Sequence, residues 1–208
     1  CILPPKSCYN DPMKHALLAL GLLLVGAALP AAAQKTAPAA TKVQVDGITE
    51  ATLDKLWIET DKYWHEGDYN RIVDLCRIVI EADPGDDEAC GSAAYLLWSM
   101  GDTKAADWIL EYGSKRAPRN KGVFFHEFGW HLYNTKRYKE ALPYLQKAVA
   151  AGGVAITTYT TLAHSYEKTG DLKNSLKTWE TIKQRYPEHI AWKPNMARVK
   201  AKLAAQGQ

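Results

Sequence analysis

The sequence predicts an all-α fold of stacked helical hairpins, and three observations predict it. A proline, or a residue standing in for one, closes a helical pattern at Pro84, Pro118, Gly153 and Pro187, in steps of 34, 35 and 34 residues. A hairpin glycine recurs within the copies as Gly67, Gly101 and Gly170, with Lys136 taking its place in the third. Between these marks, core residues return at fixed offsets. Leu56, Cys90, Phe125 and Tyr159 open the apolar stripe of each first helix, and Tyr63, Leu97, Leu132 and Tyr166 close it. The small residues Thr60, Ala94, Gly129 and Ala163 lie between them. Second helices carry Ile72, Ala106, Ala141 and Ser175, followed by Cys76, Leu110, Leu145 and Trp179. Small residues let helix backbones approach, and large ones fill the space beside them. Each hairpin therefore has an apolar face that only a neighbouring hairpin can cover.

The last copy, Ile156 to Pro187, shows the unit most clearly. Tyr159, Leu162, Ala163 and Tyr166 recur at three, four and seven residues, which places them on one helical face. Asp171 follows the hairpin glycine where a second helix needs an N-cap acceptor. Leu172, Ser175, Leu176, Trp179 and Ile182 form the second stripe, and Pro187 ends it.

A helix-turn-helix period of this length, with these offsets, resembles the tetratricopeptide repeat (TPR) family. The resemblance covers residues 53–189 in four units, 53–86, 87–120, 122–155 and 156–189, within a repeat region of 49–189. Lys121 reads as a one-residue insertion. The third copy departs from the pattern, lacking both the hairpin glycine and the terminal proline. Its second helix contains Pro143, which removes one backbone donor and predicts a slight bend on the solvent side. The resemblance implies a right-handed superhelical TPR solenoid of four helix-turn-helix repeats plus a C-terminal capping helix. It also implies a concave groove lined by the first helices of successive repeats.

The flanking segments follow in chain order. Residues 1–12 precede the first methionine, show no periodicity and read as an upstream segment outside the mature protein. Met13 to Ala33 has a basic start at Lys14 and His15, an uncharged apolar run from Ala16 to Leu29, and the small-residue end Pro30-Ala31-Ala32-Ala33. That is the form of a secretory signal peptide cleaved after Ala33, which predicts a periplasmic or extracellular protein. An uncleaved anchor is the rival, at the lower limit of bilayer-spanning length and interrupted by Pro30. Residues 34–48 read as a flexible Thr/Ala/Pro-rich linker. Residues 190–208 read as the capping helix: Pro194 suits its first turn, Met196, Val199 and Leu203 line one side, and Arg198, Lys200 and Lys202 face out.

Charge is near balance, with 26 basic and 23 acidic residues in the chain. Nothing in that composition points to nucleic acid or an anionic membrane, and cleavage would leave no stable membrane insertion. Beyond the leader only Cys76 and Cys90 remain, on helices that would be packed neighbours. In an oxidising compartment they could form a disulfide. Both offsets are filled by large apolar residues in other copies, so two buried free thiols are the competing expectation.

Catalytic and metal motifs fail on spacing. His126-Glu127-Phe128-Gly129-Trp130-His131 looks like a zinc-protease helix, but that motif needs histidines at i and i+4. Here the second is at i+5, ~140° round the helix. A looser set of His126 and His164 lacks a third ligand nearer than Asp61. No nucleophile elbow, phosphate loop or paired-cysteine metal motif is present. The expectation is a non-enzyme without a cofactor.

The groove implied by the resemblance carries the functional expectation. Its rows hold Trp57, Gly91, His126 and Thr160; Asp61, Tyr95, Trp130 and His164; and Trp64, Trp98, Tyr133 and Glu167. Trp and Tyr dominate binding hot spots, and apolar residues gathered on a solvated face mark interaction sites. The sequence therefore predicts an exported adaptor that docks an extended peptide or protein segment on these rings, with polar contacts from Asp61, His65 and Asn134. TPR clamps that grip C-terminal carboxylates place lysine and asparagine in these rows, so carboxylate clamping is disfavoured. Two alternatives remain: self-association into a dimer or filament, with the Met196–Leu203 stripe entering another copy's groove, and glycan binding on the tryptophan faces.

Overall fold

The computed structural model describes residues 42–207, with side chains from Asp46 onward. The upstream segment, the signal peptide with its cleavage site, and residues 34–41 of the expected linker lie outside the described residues. The described residues up to Ala51 and those from Thr52 onward fall into two units. The described part of the first is helical throughout, and the second contains the repeats.

Among the described residues there are nine helices and no strands. α1 (Lys42–Glu66) and α2 (Tyr69–Ala82) form the first hairpin, and α3 (Asp87–Ser99) and α4 (Thr103–Arg116) the second. α5 (Lys121–Asn134) pairs with α6 (Tyr138–Ala151), and α7 (Ile156–Lys168) with α8 (Leu172–Arg185), before the single α9 (Trp192–Ala205). Residues 42–48, expected as linker, are the opening turns of α1. The last proline of the leader is Pro38, and beyond it nothing blocks helix propagation, which is cheap once a nucleus exists.

The hairpin turns form where the sequence places them. Gly67, Gly101 and Gly170 take φ of 74°, 90° and 86°, and Lys136 takes 62° in the same role. Asp68, Asp102 and Asp171 then cap α2, α4 and α8 by accepting from the backbone N–H of Arg71, Ala105 and Asn174. The insertion at Lys121 is absorbed by helix rather than by loop. Lys121 opens α5, which has 14 residues where α3 and α7 have 13.

The core offsets hold. Thr60, Ala94, Gly129 and Ala163 are buried, as are both predicted second-helix rows from Ile72 to Trp179. Gly129 is there for close approach: a Cβ on it would lie 2.6 Å from Leu145 Cγ across the α5–α6 hairpin. One expected core residue is displaced. Phe125 is half-buried under the Lys147 ammonium, and its neighbour Phe124, 1% exposed, fills the interior. The reason is the Gly113 face of α4, which has no side chain and receives the Phe124 ring.

Cys76 and Cys90 are free and buried, so no bridge forms between them. Cys90 Sγ sits where a Cβ on Gly113 would stand, and burial pushes both thiols up to about 12, which keeps them protonated. They act as small core residues.

Two apolar clusters result. One joins the first three hairpins and reaches Leu162 of α7. The other contains Tyr159, Trp179 and Ile182 of the fourth hairpin with Met196 and Val199 of α9. The Met196–Val199–Leu203 stripe is therefore covered by its own chain and is not free to enter another copy's groove. The basic residues Arg198, Lys200 and Lys202 of α9 face solvent as expected, and two of them also reach back to the repeats. Arg198 donates to both oxygens of Glu167 at 2.9 and 2.7 Å, and Lys202 donates at 2.9 Å, pinning the cap to α7. No helix among the described residues is long and apolar enough to cross a membrane.

Candidate functional site

First helices of successive hairpins lie side by side, α3 against α5 and α5 against α7, and their outward faces carry the exposed tryptophans. Trp64, Trp98 and Trp130 are 51%, 37% and 43% exposed, and Tyr95 is 49% exposed. The second helices differ. Trp179 is wholly buried, and Trp108 is stacked on Tyr112 with ring centroids 4.9 Å apart. Helix identity thus decides which indoles meet solvent.

Two neighbouring hollows are cut into the first-helix face. One, of about 790 Å³ open to solvent, lies between α1 and α3 and is lined by Trp57, Thr60, Asp61, Trp64, Ser92 and Leu96, with Ile72 at its edge. Trp64 leans on Tyr69 with centroids 5.5 Å apart. The other, of about 300 Å³, lies between α3 and α5. Tyr95, Trp98, Trp130 and Asn134 wall it, and Gly91, Ala94, Leu110, Glu127 and His131 lie beneath. Tyr95 and Trp98 meet edge to face at 6.0 Å. Seven predicted residues are thereby gathered: Trp57, Asp61, Trp64, Tyr95, Trp98, Trp130 and Asn134.

The remaining predicted residues stand elsewhere. His65 is exposed and faces Asp61 at 3.8 Å, one turn along α1 and outside both hollows. Tyr133 turns its ring against Tyr138 at 5.3 Å and packs on the core. His164 meets the buried Trp179 edge-on at 5.1 Å, and burial holds its pKa below the ordinary imidazole value. His126 is half-buried, its Nδ1 has no partner among the described residues, and burial lowers its pKa too. Glu167, placed in the third row, is 7% exposed and is taken up by the cap. His65 lies beyond the hollows along α1, whereas Tyr133, His164, His126 and Glu167 do not line them because their positions on the first helices turn toward neighbouring helices rather than outward. No group of three metal-ligating side chains occurs among the described residues.

Two residues that the sequence reading weighed only for a zinc motif, and not for the groove, matter here. Glu127 lies between α3 and α5, and Gly91 makes room for it: a Cβ on that glycine would be 3.3 Å from Glu127 Oε2. Burial, then the nearby Asp87, raises its pKa above the usual carboxylate range. His131 is 6% exposed, and its Nε2 is 3.0 Å from Asp107 Oδ1. Burial lowers its pKa despite that carboxylate, so the neutral ring donates from Nε2. Arg137 donates to the other Asp107 oxygen at 2.6 Å. A sequence signal for both existed: 127, 130, 131 and 134 follow the three-four-seven spacing that shares one helical face.

No protein-family model matches the chain, and no curated protein matches it. Solved structures do. MamA from Desulfovibrio magneticus RS-1 (residues 41 to the end) aligns with a TM-score of 0.57 at 19% identity, over 72% of this chain and 84% of that one. A crystal structure of MamA protein aligns at 0.58 and 18% identity, over 77% and 84%. YrrB, a TPR protein with an unusual peptide-binding site, aligns at 0.54 and 20% identity, over 76% and 82%. At these identities the likeness establishes the fold, which is the TPR solenoid.

Proposed function

We propose that this chain is an exported, non-catalytic TPR adaptor that docks an extended peptide or protein segment along α1, α3 and α5. One observation carries the reading. The exposed tryptophans among the described residues all stand on first helices and border two adjoining hollows. Indole surface left in water is costly at about 25 cal/mol per Å², and rings with rotamers limited by their neighbours lose little entropy when a guest covers them. The peptide-binding site named for YrrB, which shares the fold, is consistent with such a guest. Export rests on the Met13–Ala33 pattern.

The test is capture of envelope-fraction peptides by the protein beside the Trp64→Ala/Trp98→Ala double variant. Capture should fall at least tenfold, since two hot-spot indoles are worth about 2 kcal/mol or more each, while far-UV circular dichroism stays unchanged. Undiminished capture by a folded double variant would sink the proposal. Self-association is the second reading. It no longer has the α9 stripe to work with, and sedimentation of the chain separates it from a monomeric adaptor.

A further inference from the structure

We propose that the hollow between α3 and α5 receives a lysine side chain of the docked segment, with the Glu127 carboxylate as counter-charge and Tyr95, Trp98 and Trp130 as its ring wall. This rests on the groove reading above and specifies one residue of the guest.

The first support is an unpaired charge. Glu81, Asp107, Glu140 and Glu167 each have an arginine or lysine within 3 Å. Glu127 has no cation within 4 Å and accepts no hydrogen bond among the described residues, although it borders the hollow. Asp87, one turn before Gly91 on α3, adds a second negative charge near it. His131 brings no positive charge of its own, because burial keeps it neutral and Asp107 holds its Nε2–H. The hollow thus holds a carboxyl group without a resident cation, and the burial and Asp87 charge that raise its pKa are what an incoming ammonium would offset.

The second support is the wall. Indole and phenol rings present a negative face that attracts a cation held over it, the more so when the cation is partly desolvated. The third is reach: Glu127 lies beneath the rings that rim the hollow, and a compact ammonium on a flexible stem follows such a path more readily than a planar guanidinium. The four-carbon stem of lysine would lie across the rings toward the surface.

The full chain can be titrated with acetyl-Ala-Lys-Ala amide and with the matching norleucine peptide, following the indole N–H resonances of Trp98 and Trp130. The lysine peptide should bind about tenfold more tightly. In Glu127→Gln the two peptides should bind within about twofold of each other, and Glu127→Asp should keep part of the preference. Equal binding by the parent overturns the lysine assignment and leaves the groove reading standing. A lysine preference that survives Glu127→Gln overturns the role given to Glu127. If neither peptide moves either indole, both readings fall.

Discussion

Lys136 shows how strictly the turn geometry rules at the scale of a single residue. It holds φ at 62° in a hairpin where three sister copies use glycine. A side chain in the left-handed region costs about 1–2 kcal/mol, part of which glycine's greater freedom in the unfolded chain would cancel. Lys136→Gly should therefore raise stability by about 0.5–1 kcal/mol in urea denaturation, without altering peptide binding. Phe124 and Phe125 teach the reverse lesson about legibility. Repeat offsets point to Phe125 as the core residue, yet the structure buries Phe124. Two adjacent rings of equal hydrophobicity look alike in a pattern, and only the bare backbone at Gly113, on another helix, selects between them.

At the scale of elements, α9 is held by burial and by charge together. The Arg198 guanidinium, against the opposing effect of burial and with Lys202 adding to it, lowers the Glu167 carboxyl to about 2. Because the folded-state value is depressed, the stabilisation is complete above the ordinary carboxylate value of 4.5 and is lost as pH falls toward about 2. Amide exchange in α9 should accelerate across that acidic window before exchange in α5 does. Arg198→Ala with Lys202→Ala should remove most of that pH dependence and cost about 1–3 kcal/mol, since a carboxylate whose side chain is 7% exposed would keep only the His164 ring, 3.7 Å away, beside it. The same element scale explains the misplaced groove residues. Fixed offsets identify the helix face to within about one residue, or 100° of rotation. His164 and Tyr133 fall on the packed side of that margin, and Trp98 and Trp130 on the open side.

For the whole molecule, a repeat array is stabilised by nearest-neighbour contacts, so its end is its weakest interface. Ending the chain at His189 removes α9 and uncovers Tyr159, Trp179 and Ile182 of the second apolar cluster. Thermal unfolding of the shortened chain should then run in two steps. The fourth hairpin should melt first, by tryptophan fluorescence, while the first three hairpins, joined by a cluster that takes in only Leu162 and Tyr166 of the fourth, keep most of their helical signal.

The periodic features were set by the sequence alone. The number of hairpins, their turns and caps, the small-residue approach at Gly129 and the concentration of tryptophan on first helices all follow from offsets that repeat along the chain. A repeated offset has a repeated physical cause, so it can be read without coordinates. Tertiary structure alone decided the rest: that Glu127 lies unpaired against Gly91, that Glu167 belongs to the cap, and that Cys76 and Cys90 stay apart as core thiols. Each depends on one side chain meeting a residue more than 12 positions away on another helix, where the axial rotation of two helices, absent from any local pattern, determines what touches.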